Sequence, residues 1–274
     1  MLDNLKDFSV EFESRSKEHF AHRRHEAKDV PGLIDSIEYS FFSGGKRFRP
    51  MLCYATAEAL GLSKEQVTGF AMAVECVHTY SLIHDDLPCM DDDNERRGQP
   101  TNHIKFSEDM ALLAGDSLLT ESFLILAKHY PEQCSALVEI LSEGSGLNGM
   151  IRGQVLDLGK GLEVKELSDL INLHELKTGR LISMCLKGPA YLAGKKVSAF
   201  GELGMMIGLA FQIKDDLLDI EEDDQASFIS FLGEQGTKDY LANLTEKISM
   251  SLKELELENS SLKTLVEFNL NRSL

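Results

Sequence analysis

Apolar residues recur at three- and four-residue steps along most of the chain. One stripe of Leu and Ile lies within residues 241–255, with Lys and Glu between its members. This spacing predicts an amphipathic helix with one buried face. A second stripe, within residues 67–77, follows Ser63, and Gln66 completes a capping box that predicts where its helix begins. The dominant pattern is therefore helical.

Strands are not required to explain the rest of the sequence. We find no sustained alternation of apolar and polar residues and no Asn-Gly turn. Pro131 fits the first turn of a helix, while Gly44-Gly45 and Gly188-Pro189 are among the expected breaks. The breaks leave roughly ten helices joined by short loops. No shift in composition marks a boundary, so we expect an all-α fold with a single domain over residues 1–274.

Composition and charge exclude several classes of function. The chain has 274 residues, of which 43% are hydrophobic, and a net charge of −17, which disfavours a nucleic-acid partner. The five cysteines are scattered without a CxxC pair, which fits a reducing cytoplasm better than a zinc site. The N-terminal segment is polar and acidic, unlike a secretory signal. No apolar run approaches the roughly 18 residues of a membrane span. We therefore expect a cytoplasmic protein without a stable membrane anchor.

Two groups of aspartates interrupt the apolar pattern. Their members are Asp85, Asp86 and Asp91, and then Asp215, Asp216 and Asp219. Carboxylates about 5 Å apart repel by roughly 3 kcal/mol per pair at an effective dielectric near 20, so two groups facing one cavity need cations. Such oxygen ligands suit Mg²⁺, which bridges carboxylates to substrate phosphates. The alternative is that both groups are solvated faces, but their position inside apolar segments favours the metal.

The spacing within each group has a geometric consequence. Asp215 and Asp219 are four residues apart and share one face of a helix. Asp85 and Asp91 would lie about 240° apart around an ideal helix. Pro88 stands between them, and its ring would clash with the carbonyl group one turn earlier. We therefore expect the helix to end or bend near Pro88, so that Asp91 returns toward Asp85.

Three basic segments accompany the aspartates. Residues 43–50 place three cations after a Gly-Gly turn, residues 96–98 follow the first aspartate group, and residues 177–180 lie in a helical pattern. A single Lys-Arg pair on a helix is usually a solvated face. Three such segments in a chain of net charge −17 indicate diphosphate binding, because a guanidinium fork matches phosphate oxygens.

Together these motifs resemble the trans-isoprenyl diphosphate synthase family, and the resemblance covers nearly the whole chain. Residues 44–50 are similar to its first basic motif and residues 78–101 to its first aspartate-rich motif, whose two-residue insertion is typical of bacterial farnesyl and plant-type geranylgeranyl enzymes. Residues 153–158, 177–179 and 211–219 follow in the family's order.

The resemblance implies an all-α bundle around a central cavity, usually a homodimer. It implies Mg²⁺-dependent head-to-tail condensation of isopentenyl diphosphate with dimethylallyl or geranyl diphosphate, giving farnesyl diphosphate and pyrophosphate. The expected partners are these small-molecule diphosphates and the expected cofactor is Mg²⁺, as three ions bound with the diphosphate.

The resemblance also implies individual roles. The implied metal ligands are Asp85, Asp86, Asp91, Asp215, Asp216 and Asp219. The implied isopentenyl diphosphate site is Lys46, Arg49, His78 and Arg97. The implied allylic diphosphate site is Arg96, Lys177, Thr178 and Gln212. The implied catalytic residues are Asp85, Asp86, Asp91, Lys177, Thr178, Gln212 and Asp215.

Tyr80 and Ser81 are the expected determinants of product length. Helix geometry places Ser81 one turn before Asp85 and Tyr80 slightly farther, to one side. By resemblance, an aromatic residue five positions before the first aspartate, next to a small residue, is similar to enzymes with a fifteen-carbon product. We therefore expect farnesyl diphosphate, with geranylgeranyl diphosphate as the alternative. Tyr80 as an ordinary core aromatic remains a second interpretation.

The chain departs from the family pattern after Asp219. The family usually has a longer loop with two lysines that close over the allylic diphosphate, whereas residues 220–228 are short and carry no lysine. This keeps a non-catalytic regulatory subunit open as a second class of function. A terpene cyclase is a third, but it would have no second diphosphate for residues 44–50 to hold. The complete set of aspartates favours the active synthase.

Overall fold

The computed structural model describes residues 2–218 and 226–271, and this part of the chain is built almost entirely of helices. In chain order they are α1 Leu2–Glu26, α2 Pro31–Phe41, α3 Phe48–Ala59, α4 Lys64–Asp85, α5 Asn102–Lys105, α6 Glu108–His129, α7 Cys134–Ser145, α8 Met150–Asp157, α9 Leu167–His174, α10 Arg180–Leu192, α11 Val197–Leu218, α12 Phe228–Glu254 and α13 Ser261–Leu270. A π-helical turn, Glu175–Gly179, joins α9 to α10. The expected all-α bundle is confirmed.

Helix α4 lies at the centre of the bundle. It packs most extensively against α6 and also contacts α3 and α10. Val67, Phe70 and Val74 are fully buried, as the apolar stripe predicts. The capping box at Ser63 and Gln66 is present at the start of the helix. Because α4 is surrounded, its buried positions extend beyond a single stripe, and its C-terminal end lies inside the protein.

Two of the expected helix boundaries are wrong. Helix α10 continues through Gly188 and Pro189 to Leu192. A Cβ atom on Gly188 would lie 2.2 Å from Cε1 of Phe70, so this glycine serves close packing between α10 and α4. Helix α7 begins at Cys134, and Pro131 lies in the turn before it. At Gly188, tertiary packing overrides the local signal.

A short hairpin corrects the expectation that no strands are needed. Strand β1 (Glu95–Arg96) pairs antiparallel with β2 (Gln99–Pro100). The two residues between them, Arg97 and Gly98, have φ angles of 55° and 72°. Positive φ at both central positions is typical of the tight turns that connect hairpins. The hairpin therefore fixes the backbone positions from which the side chains of Arg96 and Arg97 extend.

Helix α6 has an unusually apolar composition. Among the described residues it is the one helix long and apolar enough to cross a membrane, judged by length and composition alone. The core helix of a bundle meets the same criterion, and α6 packs more extensively against α4 than any other two described elements pack against each other.

Candidate active site

A cavity of about 420 Å³ lies beside the C-terminal half of α4. Its charged and polar lining comes from α3, α4, α6, α8 and the π-helical turn, namely Arg49, His78, Ser81, His84, Asp85, Asp116, Gln154, Lys177 and Thr178. Its remaining walls are Tyr80, Leu82, Met90, Leu119, Met150, Ile151, Val155, Leu158 and Leu181. Charged groups thus share one cavity with a mostly apolar wall, which suits a ligand with a charged head and a hydrocarbon tail.

The first aspartate group surrounds the end of α4. The helix ends at Asp85, and the backbone N–H of Asp91 donates to the carbonyl oxygen of Asp85 at 2.9 Å. The prediction that the chain turns back near Pro88 is confirmed. Burial raises the pKa of Asp85 to about 6; Lys177 lowers this pKa, and Asp91 raises it further. The Asp85 carboxylate therefore sits where a cation would be stabilised.

Asp86 and Arg96 form an ion pair at the rim of this group. Nε of Arg96 donates a hydrogen bond to Oδ1 of Asp86 at 2.7 Å. Nη2 of Arg96 lies 2.5 Å from the same oxygen. Burial lowers the pKa of Arg96, but the hydrogen bond to Asp86 together with the charges of Asp86, Asp93 and Asp85 holds this pKa above its ordinary value. One carboxylate oxygen of Asp86 is therefore already engaged, and Arg96 is held next to the aspartates.

The basic residues expected to hold isopentenyl diphosphate lie close together. Arg49 Nη1 lies 3.0 Å from Nε2 of His78, and since a guanidinium only donates, the histidine accepts. Burial and then the charge of Arg49 lower the pKa of His78 well below its ordinary value, so the ring is neutral. Arg97 donates from Nη1 to the carbonyl oxygen of Gly44 at 2.6 Å. The side chain of Lys46 is exposed on the same loop.

Helix α8 is pressed against the π-helical turn that carries Lys177 and Thr178. A Cβ atom on Gly153 would lie 2.3 Å from the backbone nitrogen of Lys177, so only glycine permits this approach. One turn later, Asp157 pairs with the ammonium group of Lys177. Residues 153–158 form a recognisable sequence motif, but the motif alone predicted no role for Asp157. The position of Asp157, one helical turn after Gly153, is the sequence signal that could have indicated this pairing.

The second aspartate group follows Gln212 on α11. Thr178 donates its hydroxyl hydrogen to Oε1 of Gln212 at 2.6 Å, which connects the cavity wall to α11. Asp215 lies three residues beyond Gln212, near the end of this helix. Asp216 accepts a hydrogen bond at Oδ2 from the backbone N–H of Phe228, at 2.6 Å. Asp219 and most of the short segment that follows it lie outside the described residues.

Known proteins combine these features in one family. The polyprenyl synthetase family model matches residues 30–229, a span that includes both aspartate groups and all three basic segments. The chain belongs to the polyprenyl synthetase family. Membership identifies it as a prenyltransferase, and the expectation drawn from the motifs is confirmed.

Individual relatives support the same assignment. A farnesyl diphosphate synthase of Haemophilus influenzae is 39% identical over 269 residues, which span 90% of each chain. An FPP/GFPP synthase structure from Zymomonas mobilis matches 98% of both chains with a TM-score of 0.87 and 33% identity. A geranyltransferase from Helicobacter pylori, complexed with magnesium and isoprenyl diphosphate, matches 88% of this chain and 86% of its own with a TM-score of 0.73 and 34% identity.

Proposed function

We propose that this polyprenyl synthetase joins isopentenyl diphosphate head to tail with dimethylallyl or geranyl diphosphate and releases farnesyl diphosphate and pyrophosphate. The observation that carries the proposal is the cavity, in which Asp85, Lys177 and Thr178 share a wall with a run of apolar side chains. Its charged part accommodates a diphosphate and its apolar part a prenyl tail. The related farnesyl diphosphate synthases support the same substrate class.

The two aspartate groups fit Mg²⁺ by their chemistry. Within residues 2–218 and 226–271, no cluster of three or more His, Cys, Asp or Glu side chains is arranged to hold a metal ion. Mg²⁺ ordinarily takes one or two carboxylates and completes its shell with water and substrate phosphates. We assign three ions to the site, bound together with the diphosphate. When bound, they supply the positive charge that neutralises the leaving diphosphate.

The aspartates differ in how they would take part. Asp86 and Asp216 each have one carboxylate oxygen committed to a hydrogen bond. In the first group this favours Asp85 and Asp91 as direct ligands, with Asp86 offering its second oxygen or a bridging water. Asp215 and Asp216 are assigned as ligands from their place in the second group. The assignment of Asp219 rests on its spacing in the sequence alone.

Two separate groups of residues would hold the two diphosphates. Lys46, Arg49, His78 and Arg97 would bind isopentenyl diphosphate; the neutral His78 orients Arg49, which provides charge. Arg96, Lys177, Thr178 and Gln212 would bind the allylic diphosphate beside the aspartates. Lys177 is held by Asp157 until an anionic substrate competes for its ammonium group. The reacting carbons would thus meet between the two groups.

The reaction breaks the bond between C1 of the allylic substrate and its diphosphate oxygen. The oxygens of Thr178 and Gln212, fixed by their mutual hydrogen bond, would face the positive charge that develops at C1. The double bond of isopentenyl diphosphate then attacks C1, a new carbon–carbon bond forms, and a proton leaves the adduct. The apolar walls exclude water that would otherwise capture the cation.

Tyr80 would set the product length. Its ring is 5% exposed and lies against His84, with ring centroids 5.7 Å apart. Ser81 lines the same cavity and leaves space beside it. We infer that the growing chain stops at this ring after fifteen carbons, while a twenty-carbon product would place the end of the cavity deeper.

We further infer a single synthase domain over residues 1–274, a homodimer and a cytoplasmic location. One continuous core extends from Phe8 in α1 to Val266 in α13, which supports the single domain. Ile104, Leu112 and Leu113 expose about half of their surface on adjacent helices. An exposed apolar patch of this kind supports an interface with a second copy of the chain.

The test is turnover of isopentenyl diphosphate with primers of five, ten and fifteen carbons, in Mg²⁺ and then in EDTA, with products separated by length. We expect Mg²⁺-dependent product that ends at fifteen carbons. A twenty-carbon product would support the synthase activity but reject the proposed role of Tyr80 in product length. No product from any primer would favour the regulatory subunit and implicate the short segment after Asp219.

A further inference from the structure

One buried charged pair beside the site has no assigned role in substrate binding or catalysis. Arg47 and Glu75 are only 5% and 3% exposed, and Nη1 of Arg47 donates to Oε1 of Glu75 at 2.8 Å. Neither residue lines the cavity. Two charged groups are thus buried close to the residues assigned to isopentenyl diphosphate, since the charge of Glu75 acts on Arg49.

The backbone of Arg47 is equally unusual. Its φ and ψ angles of 47° and 35° lie in the left-handed region, which residues other than glycine rarely adopt. It directly precedes α3 and follows Gly44 and Gly45, whose φ angles are also positive. Lys46 comes just before this turn and Arg49 just after it. The backbone conformation of Arg47 therefore affects the directions in which the side chains of Lys46 and Arg49 extend from the loop.

Glu75 reaches the same point from α4. It lies three residues before His78, so the two side chains share one face of the helix. His78 in turn accepts from Arg49. The guanidinium of Arg47 also lies over the ring of Phe41, 5.5 Å from its centroid. The ion pair thus ties the basic loop to the helix that supplies the other half of the same binding site.

Stability alone does not account for this arrangement. A buried ion pair is often no more stable than apolar residues of similar volume, because desolvation offsets the attraction. Nε and Nη2 of Arg47 are also buried without a hydrogen-bond partner among the described residues, and the nearest carboxylate to Nε, Oε1 of Glu13, lies 3.9 Å away. A left-handed residue, a buried pair and two buried donors that make no hydrogen bond indicate a requirement for a particular geometry rather than for packing.

We propose that Arg47 and Glu75 are positioning residues that hold the loop 44–49 against α4 in the conformation that binds isopentenyl diphosphate. The proposal rests on the assignment of Lys46, Arg49, His78 and Arg97 to that substrate. Neither residue touches the substrate; both act through Lys46, Arg49 and His78.

The test distinguishes an effect on substrate binding, measured by KM, from an effect on protein stability, measured by the melting temperature. In the double variant Arg47→Met/Glu75→Leu, both charges are replaced by apolar side chains, so its melting temperature should stay near that of the parent. Its KM for isopentenyl diphosphate should rise at least about tenfold, since a shift of about 1 Å can cost about 100-fold. Its KM for geranyl diphosphate should not change. Glu75→Gln, which keeps the side-chain size, should show the same split.

Two controls make the outcome decisive. Arg23→Met/Glu121→Leu removes a partly buried pair between α1 and α6 and should leave both KM values unchanged. Arg49→Gln tests the substrate assignment itself. If it leaves KM for isopentenyl diphosphate unchanged, the assignment and this proposal both fail. If Arg49→Gln raises that KM and the Arg47/Glu75 variants do not, or if they raise both KM values together with a loss of melting temperature, only the positioning role is overturned.

Discussion

The backbone nitrogen of Asp91 donates a hydrogen bond to the carbonyl oxygen of Asp85 at 2.9 Å, and this bond links the two residues across the turn that follows α4. In a continuous helix the two residues would lie about 240° apart. Here the turn places them near enough for Asp91 to raise the pKa of Asp85. A carboxylate pair suited to a metal ion therefore arises from a helix terminus rather than from a helix face.

Tyr80→Ala should lengthen the product by at least one five-carbon unit. Tyr80 lines the cavity and its hydroxyl group has no hydrogen-bond partner among the described residues, so the substitution removes volume without removing a bond. We expect a stability cost of about 3–5 kcal/mol for loss of a buried aromatic ring. Products should be compared by chromatography with those of Tyr191→Ala, a partly buried tyrosine of α10. An unchanged fifteen-carbon product would place the end of the cavity elsewhere.

Thr178→Val should lower kcat by roughly tenfold to 100-fold, because it removes the fixed polar group that we propose faces the developing charge. The substitution preserves the shape of the side chain but loses the hydrogen bond to Gln212. Thr178→Ser keeps the hydroxyl group and should retain most of the activity. The measurement is steady-state turnover at saturating concentrations of both substrates. Equal activity of the Val and Ser variants would remove Thr178 from the reaction.

Gly153→Ala should destabilise the protein and reduce turnover together. The added Cβ would lie 2.3 Å from the nitrogen of Lys177, so α8 must move away from the π-helical turn. Overpacking of this kind costs about 1–3 kcal/mol. Gly32→Ala is the control, since its Cβ would be 3.9 Å from Cε of Met110. Urea unfolding and kcat report the two effects, and a Gly153 variant as active and stable as the Gly32 variant would contradict the close approach.

His174 should contribute to acid sensitivity. Burial lowers its pKa to about 4, whereas an unfolded histidine titrates near pH 6.5. The folded protein therefore binds fewer protons between these values, and stability falls as pH falls through this window. His174→Phe keeps a ring stacked on Phe228 and removes the titration. The loss of unfolding free energy between pH 7 and about pH 4.5 should shrink by up to about 3 kcal/mol. Parallel losses in both proteins would reject the assignment.

Several parts of the site could be predicted because the responsible physics is local. Pro88 cannot continue a helix past the carbonyl group of His84, so the return of Asp91 follows from residues four to seven positions apart. The capping box at Ser63 and Gln66 is equally local. Such features depend only on near neighbours in the chain, and the structure confirms them.

Other parts depend on contacts that the sequence does not express. The hairpin around Arg97 and Gly98 lacks the Asn-Gly signal, because a left-handed arginine takes the place of asparagine. Gly188 resembles a helix break in the sequence, but a glycine is needed there because the ring of Phe70 packs against its Cα. The pairing of Arg47 with Glu75 joins the residue before α3 to the middle of α4 and has no periodic signature. These features follow from tertiary packing.

The most direct test of the metal-dependent mechanism compares Asp85→Asn with Asp92→Asn. Both substitutions remove one carboxylate without changing its shape, but Asp92 is exposed, with a φ angle of 54°, in a turn that asparagine tolerates. Turnover of isopentenyl and geranyl diphosphates is measured across a Mg²⁺ titration. We predict that Asp85→Asn loses roughly 100-fold or more, as expected for a lost metal ligand, while Asp92→Asn follows the parent. Near-parental turnover and Mg²⁺ dependence in Asp85→Asn would contradict the account.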